Sequence, residues 1–321
     1  MKAPLKKVAY IIFMLLLISV ISFAAIHAAP NSFFASGELN PNITPEAIEQ
    51  LKAIYGLDKP LFIQYLSWLK AILSLDFGIS FASGKEVSGE ILDRLPITLL
   101  INIVSLIFVF FISIALGVKS ALKKDKKTDV AIKQLSLVSY AMPSFYLSLL
   151  LMLFFAVKLG WFPIGGVNSA YLTEDSSKLL DTAWHLVLPL TVVIFGGIGS
   201  MTLYVRGLTI AILKSDYFFF AKARGIKGKN LLRYIILPNL MPPLVTMLGL
   251  SLPGLIGGSV ILESIFSING MGLLFYQSAL ARDYPVIMGI LIISSFLTLL
   301  GNMLADIYLG VINPHFKHAK G

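Results

Sequence analysis

Six stretches of this chain contain no Asp, Glu, Lys or Arg: Val8 to Ala28, Ile97 to Val118, Leu135 to Val157, Leu186 to Val205, Pro242 to Leu262 and Pro285 to Ala305. Each holds 20 to 23 residues. A helix rises about 1.5 Å per residue, so each stretch reaches roughly 30 Å, the thickness of the hydrocarbon layer of a bilayer. Within that layer every backbone polar group needs an internal partner, which only helices and closed barrels supply. The stretches lack the period-two alternation of barrel strands, so the expected fold is an all-α membrane protein with six transmembrane helices. Composition agrees: 57% of residues are hydrophobic and 13% charged, against about 25% charged in soluble domains. A soluble domain, disorder and a coiled coil are excluded.

Charge outside the stretches sets an orientation. Segments 1–7, 119–134, 206–241 and 306–321 carry 18 of the 26 basic residues but only four of the 17 acidic ones. Short cytoplasmic loops are enriched in Lys and Arg, so these segments are expected inside, with both termini cytoplasmic. The net charge of +9 is then a topology signal and not a nucleic-acid footprint. The first stretch exceeds the 7–15 residues or so of a signal-peptide core, so residues 1–28 are expected to remain as a transmembrane helix. Residues 29–96 form an extracytoplasmic segment with short helices. One is expected after Thr44 and Pro45, with Ile48, Leu51, Ile54 and Tyr55 on one face and Gly56 as its stop. A second follows Pro60, where Phe62, Tyr65, Trp68, Leu69 and Ile72 make an aromatic face for the outer interface or for packing on the spans.

Enzymatic constellations are missing from the sequence. No Gly-x-x-x-x-Gly-Lys-Ser/Thr loop is present to cradle a triphosphate, so ATP hydrolysis is not expected on this chain. There are no cysteines, and the four histidines form no metal spacing. No pair of carboxylates lies within the spans, which argues against an intramembrane aspartyl protease. Near membrane depth stand Glu263 and Asp306 at helix ends. Candidates for a translocation path or gate are Glu263 and Ser259, with Met142 and Pro143 in the third span. Pro143, Pro189, Gly196, Gly197, Gly199, Pro253, Gly254, Gly257 and Gly258 punctuate the later spans. Gly254 and Gly258 form a Gly-x-x-x-Gly pair that would let helices approach closely.

The segment 206–241 is the most informative inner loop. From Tyr217 onward it reads YFFFAKARGIKGKNLLRYIILPNLMPP, with small residues at Ala221, Ala223 and Gly225, a basic turn at Lys227, Gly228 and Lys229, and then an apolar helix start ending at Leu237 and Pro238. This pattern resembles the loop of binding-protein-dependent ABC importer permeases whose signature is Glu-Ala-Ala, three residues, Gly, nine residues, Ile-x-Leu-Pro. Gly225 is followed after nine residues by Ile235, Ile236, Leu237 and Pro238, and Ala221 stands at the second Ala. Phe219 and Phe220 replace Glu and the first Ala. The resemblance extends along the chain to the permease subfamily for dipeptides, oligopeptides and nickel, through YGLDKPLFIQYLSWL, LDFGISFASGKEVSGEILDRLPITLL, AMPSFYLSLLLM, GWFPIGG, GGSVILESIFSINGMGLLFYQSALARDYPVIMG and NMLADIYLGVINP.

The resemblance implies a type I ABC importer permease fold in a bacterial inner membrane, with a core over 97–306 and a cytoplasmic tail over 307–321. It implies no cofactor on this chain, ATP and Mg being held by partners. Those partners are a second homologous permease, two ATPase subunits and an extracytoplasmic solute-binding protein; nucleic acid is not among them. Phe219, Phe220, Ala221, Ala223, Gly225, Ile235, Leu237 and Pro238 would form the ATPase-coupling loop. Small residues there would let a short helix dock closely in a partner cleft and carry its motion to the spans. The implied substrates are di- or oligopeptides, with a nickel chelate as alternative. In a different class, an ATP-independent channel or membrane scaffold remains open.

Overall fold

A computed structural model describes residues 2–28, 59–169, 178–251 and 254–312. Its helices are α1 (Lys2–Ala28), α2 (Leu61–Leu73), α3 (Val87–Leu122), α4 (Lys127–Ala141), α5 (Ser144–Leu151, continued by a π-turn at Met152–Lys158), α6 (Lys178–Leu213), α7 (Asp216–Ala223), α8 (Lys229–Leu231, continued by a π-turn at Leu232–Ile236), α9 (Leu237–Ser251), α10 (Gly254–Gly257), α11 (Val260–Ile265), α12 (Met271–Ala281) and α13 (Tyr284–Ile312). Among the described residues there is no β-strand, only an isolated bridge between Ile79 and Glu86. The helix expected over residues 44–56 lies outside the described residues, as do the side chain of Asp306 and the tail from residue 313.

Among the described residues, α3, α6, the run Lys229–Ser251 and the start of α13 (Tyr284–Met303) are each long and apolar enough to cross a bilayer, and the bent α4–α5 pair meets the same test only when taken as one span. Helix α1 has 27 residues and an apolar stretch at Ala9–Ala24. The lipid-facing surface is what the hydropathy demands, with Phe13, Phe108 and Phe111 at least half exposed. Among the described residues, buried apolar side chains gather in three main seams. One joins Ile101, Leu188, Val192 and Phe266; a second, at the end carrying α7, joins Val118, Val205, Ile236 and Leu240; a third joins Val87, Ile91, Met271 and Val286.

Two expected spans are corrected. The third breaks at Met142 and Pro143, and its halves meet at 98°. Pro143 disfavours helical geometry at the residue before it, and Met142 is extended at φ −76 and ψ 121. The fifth is not one helix over Pro242–Leu262. Its helix begins upstream at Lys229 and is described to Ser251, and the chain leaves helical geometry between α10 and α11, at Gly258 with φ +62. Absence of charge shows what lipid tolerates, whereas helix limits follow backbone geometry.

Small residues act mainly on α6. A Cβ at Gly197 would come within 2.7 Å of Val109, and one at Gly199 within 2.5 Å of the Ser136 carbonyl oxygen and 2.7 Å of the Tyr140 nitrogen. Gly117 returns the favour from α3, where a Cβ would meet the Thr202 carbonyl oxygen at 2.8 Å. Helix α6 therefore lies close to the backbones of both α3 and α4. Gly199→Ala is expected to destabilise by about 1–3 kcal/mol because backbone must move. Gly196→Ala, with open space around the new methyl, is expected to be neutral or slightly stabilising. Thermal unfolding of the two purified variants in detergent decides it; equal midpoints would discount the close contact. The Gly254 and Gly258 pair does not form one helix contact: Gly254 has open space, whereas Gly258 turns at positive φ and lies close to α12, where a Cβ would meet the Gly272 nitrogen at 2.8 Å.

Helix α2 forms as expected after Pro60. Tyr65 and Trp68 turn toward α1, their rings 5.4 and 5.9 Å from that of Phe23, and the Tyr65 hydroxyl lies 2.9 Å from Ser19 Oγ. Phe62 remains 70% exposed. At the same end of the bundle, the 80–82 segment is pinned to the start of α13. Buried Asp283 accepts from Ser80 Oγ at 2.5 Å and from the Phe81 and Ala82 N–H groups at 3.1 Å each.

Candidate functional site at the basic end of the bundle

The expected coupling segment folds as a capped helix between two helical arms. Helix α6 runs beyond its apolar stretch to Leu213, after which Ser215 takes extended geometry and its hydroxyl accepts from the Phe218 N–H, capping α7. Asp216 in the first turn complements the helix dipole. The other end closes through Gly225 at φ +83: the Ile226 N–H reaches the Ala221 carbonyl at 3.2 Å and the Gly225 N–H reaches that of Lys222 at 3.0 Å. That pair of bonds is a Schellman cap, and its left-handed residue favours glycine. Gly228, at φ +56, makes the basic turn.

The small residues do not present one docking face. Ala221 is buried within the chain, while Ala223 and Gly225 are exposed. A Cβ on Gly225 would meet nothing within 4 Å, so its role is conformational and not one of size. Phe219 and Phe220 are 67% and 63% exposed, and Phe218 packs on the seam of Ile212 and Ile236. The apolar helix that starts before Leu237 and Pro238 continues to Ser251. The π-turn at Leu232–Ile236 widens the backbone just before Pro238, giving room for a ring that has no N–H and would clash with an ordinary preceding turn. Asn239 Nδ2 donates to the Ile235 carbonyl at 2.7 Å. Ile236 is buried, Ile235 and Leu237 half-buried, and Pro238 exposed.

An ion cluster that sequence reasoning missed fixes the base of this loop. Asp129, in the first turn of α4, has no exposure. Arg206 on α6 grips it with both arms, Nε to Oδ1 at 2.7 Å and Nη2 to Oδ2 at 2.8 Å. Ser120 at the end of α3 donates to the same carboxylate, the Asp125 N–H does so at 2.9 Å, and Lys133 Nζ stands 3.8 Å away. The fork geometry of guanidinium on carboxylate makes the contact directional. The end of α3 and the start of α4 are thereby tied to α6 where it leaves its apolar stretch. The only sequence signal was that both residues are among the first charges beyond the spans.

The path or gate candidates separate. Glu263 is 2% exposed and turned inward. Its Oε2 accepts from the Leu273 N–H at 2.7 Å and its Oε1 from Thr98 Oγ1 at 3.2 Å, while the Thr98 hydroxyl accepts from the Met271 N–H at 2.9 Å. Gly270, the residue before α12, has no side chain to cap it, so two remote side chains do so. Gly270 and Gly272 leave room for the Glu263 carboxylate, which a Cβ on either would approach within 2.6–3.2 Å. The Glu263 carboxylate thus completes the cap of α12. Ser259 is exposed and caps α11 through the Leu262 N–H. Met142 is half-buried and Pro143 exposed at the 98° bend, beside exposed Tyr140, Phe145 and Tyr146. The bend leads into α5, which packs against α11.

Comparison with known proteins decides what this architecture is. Residues 113–318 match the family model of the binding-protein-dependent transport system inner membrane component, and residues 2–102 match the model of its N-terminal region. The chain belongs to this transport family. Among its relatives, the oligopeptide transport system permease protein AppB of Bacillus subtilis is 38% identical over 305 residues, 95% of each chain. The oligopeptide transport system permease protein OppB of Haemophilus influenzae is 31% identical over 306 residues, again 95% of each. An inward-facing structure of the MetNI methionine ABC transporter shares the fold, with a TM-score of 0.53 at 17% identity over 70% of this chain and 96% of the other. The permease is a multi-pass transport subunit of the bacterial inner membrane with a type I ABC importer fold, and the subfamily resemblance in its sequence holds over nearly its full length.

Proposed function

We propose that this permease imports small peptides as one half of a translocation unit, paired with a second homologous permease. Two ATPase subunits on the cytoplasmic side supply the energy, and an extracytoplasmic solute-binding protein delivers the substrate. Peptides are favoured because the relatives that align along 95% of the chain are oligopeptide permeases. The basic end faces the cytoplasm, following the excess of Lys and Arg in its loops. The path runs between the two permeases beside the bend at Met142 and Pro143. Closure of the ATPase pair pushes on α7 and is passed to α6, turning the unit from inward- to outward-facing.

The observation that carries this reading is α7 itself, a short helix capped at both ends and continuous with α6 through one turn. A lever must be stiff, and the caps make it so. ATP-dependent uptake of a radiolabelled peptide by the reconstituted complex, compared with a complex lacking this chain, tests the assignment. Uptake that does not require ATP would return the permease to the channel class. At Gly225 a left-handed geometry costs an L-residue about 1–2 kcal/mol. Gly225→Val is therefore expected to lower peptide carried per ATP hydrolysed by roughly tenfold, and Gly225→Asn, which tolerates that geometry, by much less. Equal coupling ratios in the two variants would show that the turn is not part of the lever.

A further inference from the structure

An apolar groove opens at the basic end of the bundle, between the last turns of α3 and the start of the helical run Lys229–Ser251. Ile114, Ala115 and Val118 on α3 form its floor, with Leu122 at the rim. Leu232 and Leu237 make the facing wall, and the π-turn puts them there. The Leu237 N–H bonds the Leu232 carbonyl five residues back, which brings the two side chains onto one face. In an α-helix, at 3.6 residues per turn, they would stand about 140° apart. Lys119 and Lys123 close the polar end of the groove, one turn apart on the same face of α3. Both are exposed. Among the described residues neither meets a carboxylate: Asp125 lies 3.9 Å from Lys124, and Asp129 is held by Arg206 and Lys133.

We infer that this groove binds one anionic phospholipid from the leaflet at the basic end. An acyl chain lies along Ile114, Ala115 and the two leucines, and the headgroup phosphate sits between Lys119 and Lys123. Depth selects lipid over a soluble partner. The uncharged stretch of α3 ends at Val118, so Ile114 and Ala115 lie about 6–8 Å on the hydrocarbon side of Lys119. A protein approaching from water would have to push into the bilayer to cover them, whereas a lipid tail is already at that depth. Charge selects the kind of lipid. Two ammonium groups on flexible stems reach the headgroup level while their methylenes stay on the apolar wall. Basic pockets between membrane helices hold anionic headgroups in this way. A zwitterionic headgroup brings its own cation to the same two lysines and gains less. The site depends neither on which substrate is carried nor on the role of α7.

The test titrates the permease, purified at full length with the subunits that accompany it, in mild detergent under native mass spectrometry. The probes are palmitoyl-oleoyl phosphatidylglycerol and the phosphatidylcholine with the same chains. The wild type is expected to bind its first phosphatidylglycerol roughly tenfold more tightly than phosphatidylcholine. Lys119→Gln/Lys123→Gln should bring the two lipids level. Ala115→Trp, which covers the floor and leaves both lysines, should weaken phosphatidylglycerol by a similar factor. Unfolding midpoints and subunit ratios equal to the wild type certify both variants, and the wild-type comparison needs no variant at all. Equal binding of the two lipids by the wild type would overturn the inference. So would a preference that survives the lysine changes, which would move the site elsewhere, or one that survives Ala115→Trp, which would reduce it to attraction by a basic loop. Displacement of the lipid by an equal concentration of free glycerol phosphate would assign the lysines to a soluble anion and overturn it too. Loss of an accompanying subunit from the lysine variant would give the groove to that subunit instead.

Discussion

Arg206→Ala should destabilise the permease by about 3 kcal/mol, roughly a hundredfold or more in the folding equilibrium. Breaking a buried pair leaves the surviving charge without its partner in a place where water does not reach, typically a cost of about 3–5 kcal/mol. Asp129 is that charge here, with no exposure and a carboxylate that would keep only Ser120, the Asp125 N–H and a more distant Lys133. Lys133 and the partial exposure of Arg206, 17% of its side chain, place the effect at the lower end of the range. Removing both charges should restore most of the loss, because neither is then orphaned. Asp129→Asn combined with Arg206→Met is expected to unfold within a few degrees of the wild type, whereas Arg206→Ala should unfold far earlier and accumulate poorly in membranes. If the single and double variants unfold together, the pair does not hold the ends of α3 and α4 to α6.

The second large effect is expected at Glu263. Replacing it with Ala leaves the Leu273 N–H and the Thr98 hydroxyl without their acceptor inside the bundle, and a buried group deprived of a charged partner costs about 1.5–3 kcal/mol. Glu263→Gln keeps one oxygen for Leu273 and should lose less than half as much. Both losses are expected in folding, because the carboxylate caps α12 and is 2% exposed. Unfolding midpoints and peptide uptake, measured on the same two variants, separate a cap from a gate. A Glu263→Ala chain with wild-type stability and abolished uptake would put the residue back on the path.

Legibility followed the kind of force involved. The six apolar stretches were readable because the penalty for a charge in hydrocarbon acts residue by residue along the chain. The bend at Pro143 and the turn at Gly228 were readable for a similar reason, since proline and glycine restrict or free their own backbone. The loop pattern from Ala221 to Pro238 was visible as a motif, but its meaning shifted on folding. Gly225 serves a left-handed cap and Ala221 an internal contact, so the face left outward is aromatic. The matched stretches behave alike. Ser80 and Asp283 join two of them across 203 residues, Gly166 of GWFPIGG donates to the Phe266 carbonyl at 2.8 Å, and Thr98 with Glu263 closes the start of α12. These motifs mark places where backbones from distant segments meet, which no local pattern reveals.

By itself, then, the sequence determined that this chain is helical and apolar enough for a membrane, which loops are basic and to which transport family it belongs. Hydropathy, charge and backbone restriction are properties of residues and their near neighbours. The tertiary structure alone decided that Asp129 meets Arg206 from 77 residues away, that Glu263 turns inward to cap a helix, that the fifth apolar stretch is divided, and that Phe219 and Phe220 are left uncovered. Each of these depends on which helices lie side by side, and helix pairing in lipid is selected by packing and a few polar contacts, with no hydrophobic pattern to record it in the chain.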